Sequence, residues 1–494
     1  MTTEHWLDAL VAQTVQCSDR PPFRLDAFLS EPRAGRAAAI WLGLGPGDAA
    51  PSRDEIVSSL LQDVAAIDDL VERQLNAILH HPEFQRLEAT WRGLEMLLGT
   101  IPADAGIKVR VLDASWADVA RDADRAIEFD QSQLFKKVYS AEFGMPGGEP
   151  YGVLIGDYHV AHRPRDDQRV DDLRTLRSVA QVAAAAFAPF VVGAHPSLFG
   201  FDSFRELERA GDLERIFRST EYVGWRSLRE EEDTRFVALA LPRILLRGPY
   251  VHDPDRRDGF PFTERCTEHE HYLWGNAAFA LGATIAGSYA RWGWLADIRG
   301  VRRDEATGGL FQEFPTLDHG TDAPGVAVRF ATEVVVSDTR DRELGQHGFV
   351  PLCATRDDDS AAFYTTVSLH RPPKFQDADA TANAKLGALL QYVLCVSRIA
   401  HYIKVISRDI TGSLVSIRQL ERRLQDWLRS ITIASDSATD EIQARFPLRE
   451  GDVSVREIPG RPGCYTSVFH LRPHFQLDNL TSSIRLVSEI ITDR

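Results

Sequence analysis

Apolar residues recur at helical spacing on both sides of Pro82. These apolar positions are Leu75, Ile78, Leu79, Phe84, Leu87, Trp91, Leu94 and Leu98. Because proline has no backbone N–H to donate, it suits the first turn of a helix that begins there. The pattern therefore predicts two amphipathic helices that meet at His80–Pro82 and form a core-facing hairpin from about Arg53 to Gly99.

The first 56 residues show a different pattern. Residues 4–16 predict a short amphipathic helix whose apolar face carries Trp6, Leu7, Leu10 and Val11. Between residues 18 and 56, frequent prolines and glycines predict an extended arm with one short apolar piece near Ala37–Leu44. A short helix ahead of such an arm cannot bury its apolar face alone, so it must dock on this protein or on a partner.

The middle of the chain mixes strand and helix patterns without a repeat period. Strands are predicted at Ile107–Leu112, Tyr151–Ile155, Phe236–Leu241 and Thr332–Val336. A helix is predicted over Asp171–Ala188. The mixture places the chain in the mixed α/β (α+β) class, with several domains.

The C-terminal part begins with a long apolar helix, predicted from about Ala382 through Ile406, and a second helix near Ser416–Ile431. Three strands are predicted to close the chain, at Asp452–Glu457, Cys464–Leu471 and Leu480–Ile490. The last strand alternates strictly, so one face of it carries Leu480, Ile484, Leu486 and Ile490. Strands of this kind can pair within one chain or with a neighbouring subunit.

The helix near Ser416–Ile431 carries two stripes. Its apolar face consists of Leu420, Leu424, Trp427, Leu428 and Ile431. Its basic stripe consists of Arg418, Arg422 and Arg429. A basic stripe is unusual on a chain whose formal net charge is −16, and it could bind a partner. The simpler interpretation is a solvated charged face partnered by Glu421 and Asp426.

Composition excludes several classes of protein. The net charge of −16 argues against a nucleic-acid-binding surface. The 5 cysteines show no C-x-x-C spacing, which is typical of reduced thiols in the cytoplasm. The N-terminus lacks a signal-peptide pattern, and the most apolar stretch, Val182–Ala194, is too short to span a bilayer. We therefore expect a cytoplasmic protein without membrane insertion.

No enzyme motif emerges. The sequence has neither a G-x-x-x-x-G-K-[ST] loop nor a G-x-S-x-G elbow. A metal-dependent enzyme with a site near Glu264–His271 is the alternative, but His269 and His271 are two residues apart and would diverge. We expect a polar surface loop there, and we expect His80 and His81 to cap helix carbonyls. The prediction is no catalytic residue, no cofactor and no metal.

Seven blocks of the sequence resemble, in the same order, the large sheath subunit of bacterial type VI secretion systems. The first is HHPEFQRLEATWRGL at His80–Leu94. The others are Ser140–Val160, Glu221–Tyr250, Glu270–Ala280, Thr332–Leu352, Ala382–Ser413 and Cys464–Leu480. The resemblance runs from about Ser58 to the C-terminus. It implies a structural protein that works by assembly rather than by catalysis.

The resemblance also implies partners. A sheath subunit of this kind pairs with a small sheath subunit, polymerises with copies of itself in a helical sheath around an inner tube protein, and joins a baseplate. Contraction propels the tube, and a AAA+ unfoldase then recycles the sheath. A sheath from a phage-tail-like contractile particle is the alternative within the same structural class.

The same resemblance implies roles for individual residues. The helix with Trp6, Leu7, Leu10 and Val11 would bind the unfoldase. The strand with Leu480, Ile484, Leu486 and Ile490 would be shared between subunits. The stripe of Arg418, Arg422 and Arg429 could face the tube. The expected domains are residues 1–56 (helix and arm), 57–375 (hairpin and mixed α/β sheath domain) and 376–494 (sheath-core domain).

Overall fold

A computed structural model describes most of the chain. The described residues are 25–44, 51–166, 168–253, 255, 260–302, 305–312, 314–315, 331–354, 360–410, 417–435, 439–457, 464–474 and 484–491. The predicted N-terminal helix and Leu480 lie outside these residues. The mixed α/β class, with antiparallel strands at the C-terminal end, is confirmed.

Fifteen α-helices are described. They are α1 (Leu25–Ser30), α2 (Ala34–Trp41), α3 (Arg53–Leu79), α4 (Pro82–Gly99), α5 (Trp116–Arg125), α6 (Gln133–Phe135), α7 (Asp172–Ala186), α8 (Leu213–Phe217), α9 (Val223–Glu230), α10 (Ala277–Trp292), α11 (Asp338–Gln346), α12 (Ala378–Leu386), α13 (Leu390–Ile410), α14 (Ile417–Ser430) and α15 (Asp440–Arg445). A π-helix at Lys136–Phe143 continues α6. None of the described helices is both long enough and apolar enough to cross a bilayer.

Thirteen strands are described. They are β1 (Leu154–Val160), β2 (Phe190–Ala194), β3 (Val237–Leu241), β4 (Ile244–Arg247), β5 (Leu273–Gly275), β6 (Val301–Arg302), β7 (Glu305–Gly308), β8 (Leu310–Phe311), β9 (Phe349–Ala354), β10 (Ala361–Phe363), β11 (Leu448–Glu457), β12 (Cys464–Pro473) and β13 (Ile484–Ile491). The contacts of the chain divide it into two compact units. One unit comprises Met1–Glu88 with Gly248–Leu273, and the other comprises Ala89–Arg247 with Trp274–Arg494. The domain boundaries expected at residues 56 and 375 stay a prediction.

The predicted helical hairpin is confirmed as two helices. Ser52 and Glu55 form a reciprocal capping box at the start of α3, and α4 begins at Pro82 as expected. The core-facing orientation is wrong, because α3 has no buried residue and α4 buries only Gly93 and Leu97. Helical spacing shows that a helix has an apolar face, but it does not show whether the same chain covers that face.

The extended arm is wrong where the structure describes it, because Leu25–Ser30 and Ala34–Trp41 are helical. Three successive alanines in α2 favour a helix over the extended conformation that the flanking prolines suggested. Phe28 packs edge-to-face on Trp41 with ring centroids 5.0 Å apart. The indole N–H of Trp41 donates to Asp63 of α3 at 2.6 Å. This bond links α2 to α3, and the Phe28–Trp41 contact links α1 to α2.

A six-stranded sheet forms the centre of the larger unit, in the order β1-β2-β3-β9-β10-β8. The first four strands are parallel, and β10 runs antiparallel to β9 and β8. Helices cover this sheet, and the aromatic core beside it includes Trp225, which lies nearly parallel to Phe349 at 6.2 Å. The predicted strand Phe236–Leu241 is confirmed as β3, and the helix Asp171–Ala188 as α7.

Other predicted strands differ. The strand expected at Tyr151–Ile155 begins later, as β1, where it pairs with β2. Thr332–Val336 makes only an isolated bridge, between Thr332 and Ile244. Ile107–Leu112 is not a strand: among the described residues no strand pairs with it, and its Lys108 and Arg110 form ion pairs with Glu149 and Glu142. Alternation permits a strand, but only a partner strand creates one.

The C-terminal part holds a three-stranded antiparallel sheet in the order β11-β12-β13. The strands expected at Asp452–Glu457 and Cys464–Leu471 are confirmed as parts of β11 and β12, and the third appears as β13. The long helix expected over Ala382–Ile406 is wrong as a single helix. It breaks around Gly387, where Leu390 N–H donates to Thr366 O at 3.1 Å, so α12 and α13 are separate helices.

Candidate assembly surfaces

An apolar seam runs along α3. It consists of Val57, Leu60, Val64, Ile67 and Val71, alternately three and four residues apart. Their exposed fractions are 46%, 42%, 53%, 54% and 40% in that order. A period of 3.5 residues is that of a left-handed coiled coil, whose a and d positions face a partner helix. The α3 seam is therefore built like half of a coiled coil.

Acidic residues flank the α3 seam. The helix carries 6 acidic and 2 basic residues, which gives it a net charge of −4. Asp63 and Asp68 occupy positions beside the seam, where coiled coils place the charges that select a partner. Of the basic residues nearby, Arg265 pairs with Glu72 at 2.5 Å and Arg73 pairs with Asp69 at 2.9 Å. The charge pattern favours a basic partner helix.

The α3 seam was not predicted from the sequence, because the apolar positions predicted for this helix began at Leu75. The signal was present in the alternating three- and four-residue spacing that begins at Val57. On α4, three further apolar side chains are exposed: Leu87 at 58%, Trp91 at 64% and Leu98 at 47%. Exposed apolar side chains in this number mark interaction surfaces more often than solvent-facing helices.

The predicted inter-subunit strand lies at an edge of the C-terminal sheet. In the described structure β13 pairs with β12 of the same chain, with Ile484 opposite Leu471 and Leu486 opposite Phe469. Both partners on β12 are fully buried. Ile490 lies opposite Tyr465, and Leu480 is outside the described residues. Sharing of this strand with a neighbouring subunit stays a prediction.

The helix predicted near Ser416–Ile431 is confirmed as α14. Leu420, Leu424 and Leu428 are buried against β11 and β12, while Trp427 and Ile431 pack at the margin. The three arginines of the basic stripe, Arg418, Arg422 and Arg429, are all exposed. Arg429 pairs with Asp426 at 3.4 Å, with both side chains mostly in solvent. Within the described residues no ion pair is found for Arg418 or Arg422, so most of the stripe is available to a partner.

The expectations for the Glu264–His271 region and for His80 are met only in part. Arg265, Thr267, Glu268 and Glu270 are exposed, as expected of a polar surface loop, but Glu264 is buried, with 5% of the whole residue exposed. The backbone N–H groups of His80 and His81 cap the end of α3, donating to Asn76 O at 2.9 Å and to Ile78 O at 3.1 Å. The imidazole Nε2 of His80 lies 3.2 Å from Glu264 Oε1. The ring of His271 stacks on the ring of His80 at 4.1 Å and 6°. Together with Cys266, whose Sγ lies within 4.8 Å of the His80 and Glu264 ligand atoms, these residues form the His80 cluster.

Comparisons with known proteins agree on the family. Residues 62–370 match the model of the EvpB/VC_A0108 tail sheath N-terminal domain. Residues 379–490 match the EvpB/VC_A0108 tail sheath gpW/gp25-like domain. The chain is 40% identical over 442 residues to the type VI secretion system sheath protein TssC1 of Pseudomonas aeruginosa, covering 88% of this chain and 87% of that protein.

A chain of the anti-feeding prophage baseplate, determined by cryo-electron microscopy, is 10% identical and superimposes with a TM-score of 0.29. The match covers 79% of this chain and 80% of that one. The two matched domains together span nearly the whole described sequence, and the TssC1 relative extends over most of it. The chain belongs to the family of large tail-sheath subunits of type VI secretion systems.

Proposed function

We propose that this chain pairs with a small sheath subunit and polymerises as a helical contractile sheath around an inner tube protein. Membership of the sheath family supports the proposal. The observation that carries it is the α3 seam: the longest described helix has no buried residue and presents five regularly spaced apolar side chains to its surroundings. A helix with such a face is stabilised by a partner rather than by intrinsic propensity.

The partner of the α3 seam is an amphipathic helix of the small sheath subunit. Two copies of α3 would bring the acidic positions Asp63 and Asp68 together, and like charges beside a coiled-coil seam repel. A helix with basic flanking positions would complete the seam without that repulsion. The chain and its partner therefore differ in charge at this contact, which favours a heterodimer over a homodimer.

Energetics argue that the seam is one of several contacts. Full burial of an apolar side chain contributes about 1.5–3 kcal/mol, so covering five half-exposed side chains would contribute roughly 4–7 kcal/mol. Association itself costs about 4–15 kcal/mol in lost freedom. The seam alone would give weak binding, and strand pairing at the edge formed by β13 would supply the remaining affinity and the register.

The sheath acts mechanically. Contraction is a switch of the whole lattice between two packings of its subunits, and no chemical step is required of the chain.

The exposed stripe of Arg418, Arg422 and Arg429 would face the inner tube, where many weak contacts add along the sheath. The segment with Trp6, Leu7, Leu10 and Val11, which the sequence predicts to be helical, would bind a AAA+ unfoldase after contraction. Leu7→Asp with Leu10→Asp should block disassembly but not assembly.

The α3 seam is tested by Leu60→Asp with Ile67→Asp, in a chain co-expressed with the small subunit encoded beside it. Co-purification of the small subunit should fall at least tenfold, since two charges would enter the seam, and tubules should disappear from electron micrographs. Ser58→Asp with Ala65→Asp adds the same charge to exposed positions beside the seam and is the matched control.

Circular dichroism checks that both variants fold. Normal tubules from the seam variant would overturn the proposed contact. Tubules formed by the unmodified chain without a small subunit would instead indicate a sheath of the phage-tail-like kind.

A further inference from the structure

We propose that the His80 cluster binds one divalent transition metal ion through His80 Nε2, the Glu264 carboxylate and Cys266 Sγ, with Zn²⁺ the best match. The three ligand atoms lie within 4.8 Å of one another and come from two separate segments of the chain. An imidazole nitrogen, a carboxylate oxygen and a thiolate sulfur are the ligand types that Zn²⁺ takes in proteins.

The distances fit an ion after a small contraction. Zinc bonds of about 2.0–2.3 Å in tetrahedral geometry separate ligand atoms by roughly 3.3–3.7 Å. His80 Nε2 and Glu264 Oε1 are already 3.2 Å apart. The third ligand atom, Cys266 Sγ, would have to move toward the other two. The thiol now points toward His271 O at 3.8 Å. A change of about one ångström at this partly exposed side chain would complete three bonds.

Hydrogen bonds outside the cluster hold Glu264 and the residue after it in place before any ion binds. Glu264 Oε2 accepts the Tyr250 N–H at 3.0 Å, which leaves Oε1 directed at His80. The next residue along, Arg265, donates its backbone N–H to Asn76 of α3 at 2.9 Å. Supporting contacts of this kind orient metal ligands and raise affinity. They also keep Glu264 close to the end of α3, where His80 lies.

Charge and access favour an ion at this position. The Glu264 carboxylate and the Cys266 thiolate together supply two negative charges, which balance a divalent ion in a largely buried place. Binding would release the Cys266 proton to solvent. Cys266 is partly exposed and offers an entry path, whereas the His80 and Glu264 side chains are 11% and 1% exposed.

His271 does not serve as a ligand in this proposal. Its ring lies parallel to that of His80, so the two rings cannot both direct a nitrogen in-plane at one ion. Its Nδ1 accepts the backbone N–H groups of Thr267 and Glu268, each at 3.3 Å. The ring instead covers one side of His80, and solvent would supply the fourth ligand. The ion would therefore cross-link the α3–α4 junction, which carries His80, to the segment after Tyr250, which carries Glu264 and Cys266.

Metal content of the purified full-length chain, co-expressed with its small subunit, tests the proposal. After incubation with Zn²⁺ and removal of excess ion, mass spectrometry should find one zinc per chain. His80→Ala and Cys266→Ser should each weaken zinc affinity at least about tenfold, because each removes a ligand. His81→Ala, the neighbouring histidine outside the cluster, and Cys353→Ser, a buried cysteine in the other unit, should retain the ion.

Two further measurements keep the proposal falsifiable if a variant folds poorly. Zn²⁺ should raise the melting temperature of the unmodified chain, and a chelator should reverse the rise. Co²⁺ in place of Zn²⁺ should produce a thiolate charge-transfer absorption that Cys266→Ser abolishes. Equal zinc in His80→Ala and His81→Ala, or zinc far below one per chain in the unmodified protein, would overturn the site.

Discussion

Gly93 of α4 lies directly against the aromatic ring of Phe279 of α10, so closely that any Cβ at position 93 would overlap the ring. Gly93 is one of the two buried residues of α4. The absence of a side chain is therefore what lets this helix approach the core. The glycine lies within the W-R-G-L part of the first sequence block, where its role was not apparent from the pattern.

Gly93→Ala should lower the free energy of unfolding by about 1–3 kcal/mol, because the added methyl group must displace the Phe279 ring. Urea denaturation measures the change. Gly287→Ala on α10, where a Cβ would meet no atom within 4 Å, should be neutral or stabilising by up to about 1 kcal/mol. Equal effects of the two substitutions would mean that the close approach of Gly93 to Phe279 does not constrain the helix.

The folded chain should lose stability as the pH falls from about 6.5 to 4. Burial lowers the pKa of His401 from 6.5 to about 4, with a smaller contribution from the charge of Arg398. Burial likewise lowers the pKa of His347 to about 4. The unfolded chain takes up these protons below pH 6.5, whereas the folded chain excludes them until about pH 4, so the stabilisation present at neutral pH is lost on acidification.

The loss from His401 alone should approach roughly 3 kcal/mol across that range, at about 1.4 kcal/mol per pH unit. Denaturant midpoints measured between neutral and acidic pH provide the test. His401→Gln should reduce the slope of the pH dependence but not remove it, since a neutral side chain replaces His401 near Ala186 O while His347 still titrates. A slope in His401→Gln equal to that of the unmodified chain would contradict the assignment.

Removal of Leu480–Arg494 should abolish sheath assembly, while the larger unit still folds. The truncation deletes β13 and uncovers the edge of β12 beside Phe469 and Leu471, an edge that our proposal assigns to sheet sharing. Tubules in electron micrographs and the co-purified small subunit are the measurements. Tubules of normal length from the truncated chain would count against a structural role for β13 in the lattice.

Reversal of the basic stripe tests contact with the inner tube. Arg418→Glu, Arg422→Glu and Arg429→Glu together should leave the fold intact, because all three side chains are exposed. The variant should form sheaths that contain little tube protein and fire rarely, since attraction summed over many subunits becomes repulsion. The control reverses Arg36, Arg125 and Arg205, which are exposed elsewhere. Normal firing of the α14 variant would show that α14 does not bind the tube.

Local features of this protein could be predicted from its sequence. The hairpin helices, α14 and the strands β11 and β12 appear near their expected places, because periodicity and a well-placed proline act between residues close in the chain. The family was recognisable for the same reason: its blocks are short, ordered segments. The α3 seam was not predicted, but the alternating three- and four-residue spacing from Val57 to Val71 indicates it.

Tertiary structure decided which of these features are buried, paired or brought together. The sequence predicted that the apolar faces of α3 and α4 pack on the core. In the structure most of their residues are not buried. Ile107–Leu112 alternates like a strand, yet no described strand pairs with it. His80 and Glu264 are separated by 184 positions, and only the packing of the chain places their side chains 3.2 Å apart. Burial and long-range contacts depend on all the residues that compete for each surface, so local spacing alone cannot predict them.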